Sequence, residues 1–230
     1  MPDVSPVRNL NRKPSEGFSL AADERGNVTA CFLSGKLYTM VSHDNGQTFG
    51  QYAEPNPVWD PCDCCTTAAA CADGRWAVLY REETNNERDM FVVVWDQRAG
   101  TKPSRTRISG TPWKLEGCPM TDFTISRAGT GFVAAWPTKG QVYFARLDKD
   151  GAVLPPGEIK TPGESGIRNG LVALSASDGA TVVAWKNKDV LGWQLYQSKG
   201  QPRGEPGSAK SYGSGAAGVV LPDGKFLVFP

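Results

Sequence analysis

The 230-residue sequence predicts an all-β fold, a β-propeller of five blades with the last one shortened. Two observations carry this. An apolar run ending in an aromatic residue recurs at roughly 50-residue intervals, the range of propeller blades. The 26 Gly and 17 Pro point to many turns. No stretch shows sustained helical periodicity with the capping signals of a long helix.

Each apolar run follows a small-residue turn. Arg25-Gly26 leads into Val28–Phe32, Asp73-Gly74 into Trp76–Tyr80, and Gly129-Thr130-Gly131 into Phe132–Trp136. Asp178-Gly179 then leads into Thr181–Trp185, and Asp223-Gly224 into Phe226–Phe229. Continuous apolar runs suit strands buried on both faces, as in sheets stacked around an axis. The expected buried aromatics are Phe32, Tyr80, Trp136, Trp185 and Phe229.

Ahead of each run lies a strand of small residues, such as Thr66–Ala70 or Ala216–Val220, suited to the crowded position nearest the axis. A second strand follows each of the first four runs: Lys36–Val41, Met90–Trp95, Gln141–Arg146 and Trp193–Tyr196. The chain therefore divides as one domain, 1–230. Its blades cover about 15–58, 62–112, 118–163 and 167–212, with a closing blade at 213–230. Residues 4–14 are expected to add an outer strand to that closing blade. The alternatives are a fragment of a larger propeller, or a ring completed by a partner chain.

Charge excludes some partners. With 25 basic and 24 acidic residues the formal net charge is +1, which gives no electrostatic case for nucleic acid or an anionic membrane surface. No apolar run approaches the length of a membrane span. The opening Met1-Pro2-Asp3-Val4-Ser5 has neither the basic flank nor the apolar segment of a secretory signal. Six cysteines, an even number, lean toward an oxidising compartment. The expectation is a periplasmic or secreted domain whose leader is absent from this sequence.

Ser42-His43-Asp44-Asn45-Gly46-Gln47-Thr48-Phe49 reads Ser-x-Asp-x-Gly-x-Thr-Phe, a compact turn between strands. The Ser and Asp side chains can bond local backbone, and Gly46 can take a positive φ. The stretch resembles the Asp-box, or BNR repeat, of the sialidase-like β-propellers. The turns after the other second strands are degenerate forms of it.

Cys62, Cys64 and Cys65 lie in Asp60-Pro61-Cys62-Asp63-Cys64-Cys65, just before the second blade's inner strand, and Gly117-Cys118-Pro119-Met120-Thr121-Asp122 holds the equivalent place before the third. Together they resemble a bacterial subgroup of sialidase-like proteins in which a Cys-Pro-Cys-Cys-like motif opens one blade and Cys-Pro the next. Asp63 stands where that pattern has Pro. Tyr80-Arg81-Glu82 and Arg88-Asp89 also match the subgroup, so the resemblance spans most of the chain. Two jobs are open to the cysteines. One is a disulfide from the cluster to Cys118, with Cys31 and Cys71 a second pair or simply buried. The other is a soft-metal site, Cu(I) or Zn(II), held by Cys62, Cys64, Cys65, Cys118 and Met120. Either job requires Cys118 to lie within reach of the cluster. A catalytic thiol is disfavoured because the only histidine, His43, is remote.

A sialidase needs an arginine triad for the substrate carboxylate, a Tyr–Glu nucleophile pair and an Asp acid/base. Candidates for a ligand site at the axial mouth are Arg81, Glu82, Arg88, Asp89, Asp122 and Arg168, with Tyr212 nearby. Their order does not reproduce the sialidase pattern, the Arg-Ile-Pro opening is absent, and no catalytic set is assigned. A salt-bridged hairpin is the plainer account of Arg81, Glu82, Arg88 and Asp89. Trp136 and Trp185 belong to the core; Trp193 could stack on a sugar, and Trp59 and Trp113 are candidates for an exposed binding face. The expected function is a binding module for a glycan or a soft metal ion. The alternatives are an exo-acting glycoside hydrolase of sialidase type and a protein-interaction platform.

Overall fold

The computed structural model describes residues 18–55, 60–96, 102–167, 169–213 and 215–230. The expected strand at 4–14, Trp59 and Arg168 lie outside the described residues. Seventeen strands and no helices are present among them.

The strands form five antiparallel sheets that succeed one another along the chain. The first contains β1 (Phe18–Ala22), β2 (Val28–Leu33) and β3 (Leu37–Ser42). The second contains β4 (Ala68–Ala72), β5 (Arg75–Thr84), β6 (Glu87–Asp96) and β7 (Ser104–Arg107). The third contains β8 (Thr124–Ala128), β9 (Gly131–Thr138), β10 (Gln141–Leu147) and β11 (Ile159–Glu164). The fourth contains β12 (Leu171–Ser175), β13 (Thr181–Asn187), β14 (Val190–Tyr196) and β15 (Gly207–Lys210), and the fifth only β16 (Ala217–Val220) and β17 (Phe226–Phe229). Each sheet is a meander in sequence order, and the first strands β1, β4, β8, β12 and β16 lie side by side in that order.

The first sheet has three named strands, one fewer than each of the three sheets that follow it. Ala53 forms an isolated bridge to Thr39, so residues near it run beside β3 as the vestige of a fourth.

Turn chemistry explains why the strands end where they do. In the β1–β2 turn the Asp23 carboxylate accepts from the Arg25 and Asn27 amides, and Gly26 takes φ 82°. Asp148 repeats the device with the Asp150 and Ala152 amides, Asp178 with Ala180, and Asp223 with Lys225. After β3, Ser42 Oγ donates to Asp44, whose carboxylate accepts from Thr48 N and Oγ1 at 2.9 and 2.6 Å. Phe49 packs beneath, on the Phe32–Tyr38–Met40 cluster.

The core lies between neighbouring sheets. Phe32, Tyr80, Trp136 and Trp185 are all buried, as the repeat predicts. Phe229 is a correction: it is 46% exposed, because β16 and β17 have no described strand on their far side. Trp113 is a second correction. It is buried rather than exposed, and its ring lies 5.0 Å beneath the Arg81 guanidinium.

Candidate functional site

Three cysteine sulfurs meet where the second sheet begins. Pro61 bridges to Glu82, the Cys62 amide donates to the Arg81 carbonyl at 2.8 Å, and Glu83 N donates to Asp60 O at 3.0 Å. The chain leading to β4 is thus pinned along the end of β5. It then turns tightly, with Cys65 N donating to Cys62 O at 2.9 Å, which folds the three thiols together.

Asp63 explains its own departure from the subgroup pattern. Its carboxylate accepts the Gly35 amide with both oxygens at 2.8 Å, tying the cysteine turn to the β2–β3 hairpin of the first sheet. A proline could not make that bond.

The sulfurs of Cys62, Cys64 and Cys65 all lie within 4.8 Å of one another. Cys64 Sγ is 3.1 Å and Cys65 Sγ 3.4 Å from Cys62 Sγ, and Arg88 Nη1 donates to Cys62 Sγ at 2.9 Å. Cys118, from the connection before β8, places its Sγ 3.4 Å from the Cys64 carbonyl. It therefore meets the main chain of the cysteine turn at Cys64. Met120, on the same connection, is half-buried with φ 45°. Cys31 and Cys71 lie apart, on β2 and β4, where they pair with Ser19 and Trp76 respectively.

The electrostatics favour one anionic sulfur. Thiol donation from Cys65, then Cys64, together with the Arg88 charge, lowers Cys62 to about 6. Burial pushes Cys64 up to about 12, and donation to Cys62 with burial raises Cys65. Arg81 is fully buried. Its Nη1 donates to Arg88 O at 2.8 Å, its Nη2 to Thr121 Oγ1 and Pro137 O at 3.2 Å each, and its Nε has no partner. Burial lowers its pKa, while the Cys65 and Cys62 sulfurs and Asp89 oppose that shift. A buried cation is costly unless polar or charged groups surround it, and those that oppose the shift here are the sulfurs of Cys65 and Cys62 and the Asp89 carboxylate.

The expected ligand residues separate into two groups. Arg81 and Arg88 join the cysteines. Glu82 and Asp89 are buried in pairings of their own: Glu82 takes Arg105 and the Tyr80 hydroxyl, and Asp89 takes Arg107 at 2.9 Å. The arginines that neutralise them come from β7, not from within the β5–β6 hairpin as the sequence led us to expect. Composition shows no preference among partners, so only the β6–β7 register could reveal Arg105 and Arg107. Asp122 is half-buried on the connection carrying Cys118. Tyr212 is 86% exposed, and His43 lies on the rim beside Asn27, at 2.7 Å.

No protein-family model matches the chain, and no curated protein is similar to it. Solved structures do resemble it. SapL1 lectin, determined with α-methyl fucoside, aligns at TM-score 0.57 and 13% identity over 89% of this chain and 69% of that one. AofleA from Arthrobotrys oligospora aligns at 0.59 and 13% over 92% of this chain, which spans 64% of AofleA. The Dos1 propeller aligns at 0.54 and 15% over 91%, and this chain spans 53% of it. At these identities the likeness concerns fold alone, and that fold is a β-propeller.

Proposed function

We propose that the chain is a propeller-type binding module whose cysteine turn takes a soft metal ion, Cu(I) or Zn(II). Cys62, Cys64 and Cys65 would hold it, with Cys118 and Met120 alongside. The observation that carries this reading is three sulfurs within 4.8 Å of one another on one pinned turn. Thiolate donors select such ions over hard cations. The orphaned Nε of buried Arg81 fits the same reading, since thiolates bound to a metal retain the negative charge it needs. In propeller terms the five sheets would be five blades, the fifth shortened, with the cysteine turn at one axial mouth. A periplasmic or secreted location remains part of the proposal.

The sialidase-type alternative is less well supported, because Glu82 and Asp89 are engaged by Arg105 and Arg107 rather than left to act on a glycosidic bond. Titration of the reduced protein with Cu(I) and with Zn(II), followed by metal analysis, tests the proposal. One tightly held equivalent, lost in Cys62→Ser and in Cys64→Ser, is expected. No stoichiometric metal, together with a Cys64–Cys118 disulfide in protein purified without reductant, would make the turn a staple instead.

A further inference from the structure

On the opposite flank of the arc, the fifth sheet covers the fourth only in part. Gly218 on β16 lets Val172 and Leu174 of β12 approach closely: an added Cβ would lie 3.1 and 3.0 Å from their side chains. Farther from the axis, Leu191 and Trp193 of β14 meet Val228 of β17, and no described strand continues the fifth sheet beyond β17. The result is a cleft of about 750 Å³ between β13–β15 and β17. A cavity of that volume suits a ligand of one to a few sugar rings.

The walls have a definite chemistry. Trp193 of β14 is paired with Gly207 of β15, and its indole lies so directly over that glycine that an added Cβ would stand 2.3 Å from the ring. Glycine at this position lets the ring lie flat on the backbone, and the half-buried ring borders the cleft. Leu191 and Val228 extend the apolar wall. At the rim, Arg203 and Lys210 are exposed, and neither side chain makes an ion pair or hydrogen bond among the described residues. Asp178 stands beside Arg203 at the same rim, its carboxylate accepting the Ala180 amide.

We infer that this cleft binds a saccharide, with Trp193 stacking on the apolar face of a sugar ring and Arg203, Lys210 and Asp178 bonding its hydroxyl or carboxylate groups. A sugar presents an apolar face and a polar edge at once, and this cleft offers an aromatic shelf with hydrogen-bonding groups around it. The site is distinct from the cysteine turn and stands independently of the metal proposal.

The test is a binding titration of the full chain, followed by tryptophan fluorescence and amide NMR, against α-methyl fucoside, methyl galactoside and galacturonic acid. Binding by at least one probe is expected, with at least a tenfold loss in Trp193→Ala and a several-fold loss in exposed Arg203→Ala, which leaves the fold intact. Cys62→Ser should bind as the parent does. A preference for galacturonic acid that Arg203→Ala removes would place the carboxylate at the arginine. No response to any probe at about 10 mM, where even a weak site responds, overturns the inference. So does equal binding by the parent and Arg203→Ala and Trp193→Ala variants. Slow hydrogen exchange of every β17 amide in the sugar-free chain would also overturn it, because a polypeptide strand would then already occupy the cleft edge.

Discussion

The junction between the second and third sheets and the junction between the fourth and fifth are built from the same repeat, yet they differ in kind. At the first, Leu79, Val92, Phe132 and Trp136 form one buried cluster that also includes Cys62 and Cys65. Two four-stranded sheets of matching width meet there. At the second, a four-stranded sheet meets a two-stranded one, and Val219, Leu227 and Phe229 on the far face of the smaller sheet are each more than 40% exposed. Apolar runs of equal quality therefore give a closed core or an open cleft according to the width of the neighbour. The closed junction holds a fully buried arginine, Arg81, beside the cysteine turn. The open one leaves side chains free for a ligand.

The largest expected effect contrasts the two directly. Trp136→Ala should cost about 3–5 kcal/mol by urea denaturation, as for large core residues elsewhere. Phe229→Ala should fall within about 0.5 kcal/mol, as for a surface position. Equal losses would break the comparison, and would mean that something outside the described residues covers β17.

Arg81→Met comes next. The side chain is fully buried, and its loss leaves the Arg88 and Pro137 carbonyls and the Thr121 hydroxyl without their donor. Charge-assisted bonds contribute about 1.5–3 kcal/mol, and several are lost here together. A loss below about 1 kcal/mol would show that Arg81 is not held by charge, and that the closed junction owes its stability to packing alone.

Glu82→Gln should have a smaller effect. Its carboxylate is 6% exposed and accepts from Arg105 Nε at 2.7 Å, and Arg105 in turn lies 4.0 Å over the Phe91 ring. Charge-assisted bonds of this kind contribute about 1.5–3 kcal/mol. A double-mutant cycle with Arg105→Met should return a clear coupling. The same cycle on exposed Asp223 and Lys225, 2.7 Å apart in the turn between β16 and β17, should return no coupling outside error. Similar couplings at both sites would remove the distinction between the closed and open ends.

Much of this arrangement was legible in the sequence, and the physical reason is the period. Phe32, Tyr80, Trp136 and Trp185 each end an apolar run, and all four are buried: the last three runs lie between two sheets, and Phe32 is covered by Tyr38, Met40 and Phe49 of its own sheet and the turn after it. Phe229 ends an identical run, yet it is exposed, since a run cannot report whether a neighbour exists on its far side. The approach of Cys118 to Cys64 was likewise legible from equivalent positions in successive repeats. The roles of Glu82 and Asp89 were not. Their partners Arg105 and Arg107 lie on β7, beyond a connection whose length hides the register. Trp193 was raised by the sequence as a residue that could stack on a sugar, but its seat on Gly207, opposite it across β14 and β15, was not legible.

The smallest effect concerns Asp44, on the rim of the first sheet and away from both junctions. Hydrogen bonds from Ser42, then Thr48, hold its carboxyl at about 2, below the usual 3.8. Because the folded value is depressed, the ionised group stabilises the fold above pH of about 4, and that contribution fades as pH falls through about 2. Asp44→Asn should therefore lower the melting temperature slightly at pH 7, less than Glu82→Gln does. The gap between variant and parent should close progressively from pH of about 4 toward pH 2. Melting curves across that range decide the matter. A gap that stays constant down to pH 2 would mean that the carboxylate charge is irrelevant, and that the turn is held by shape and by Gly46, with φ 79°, alone.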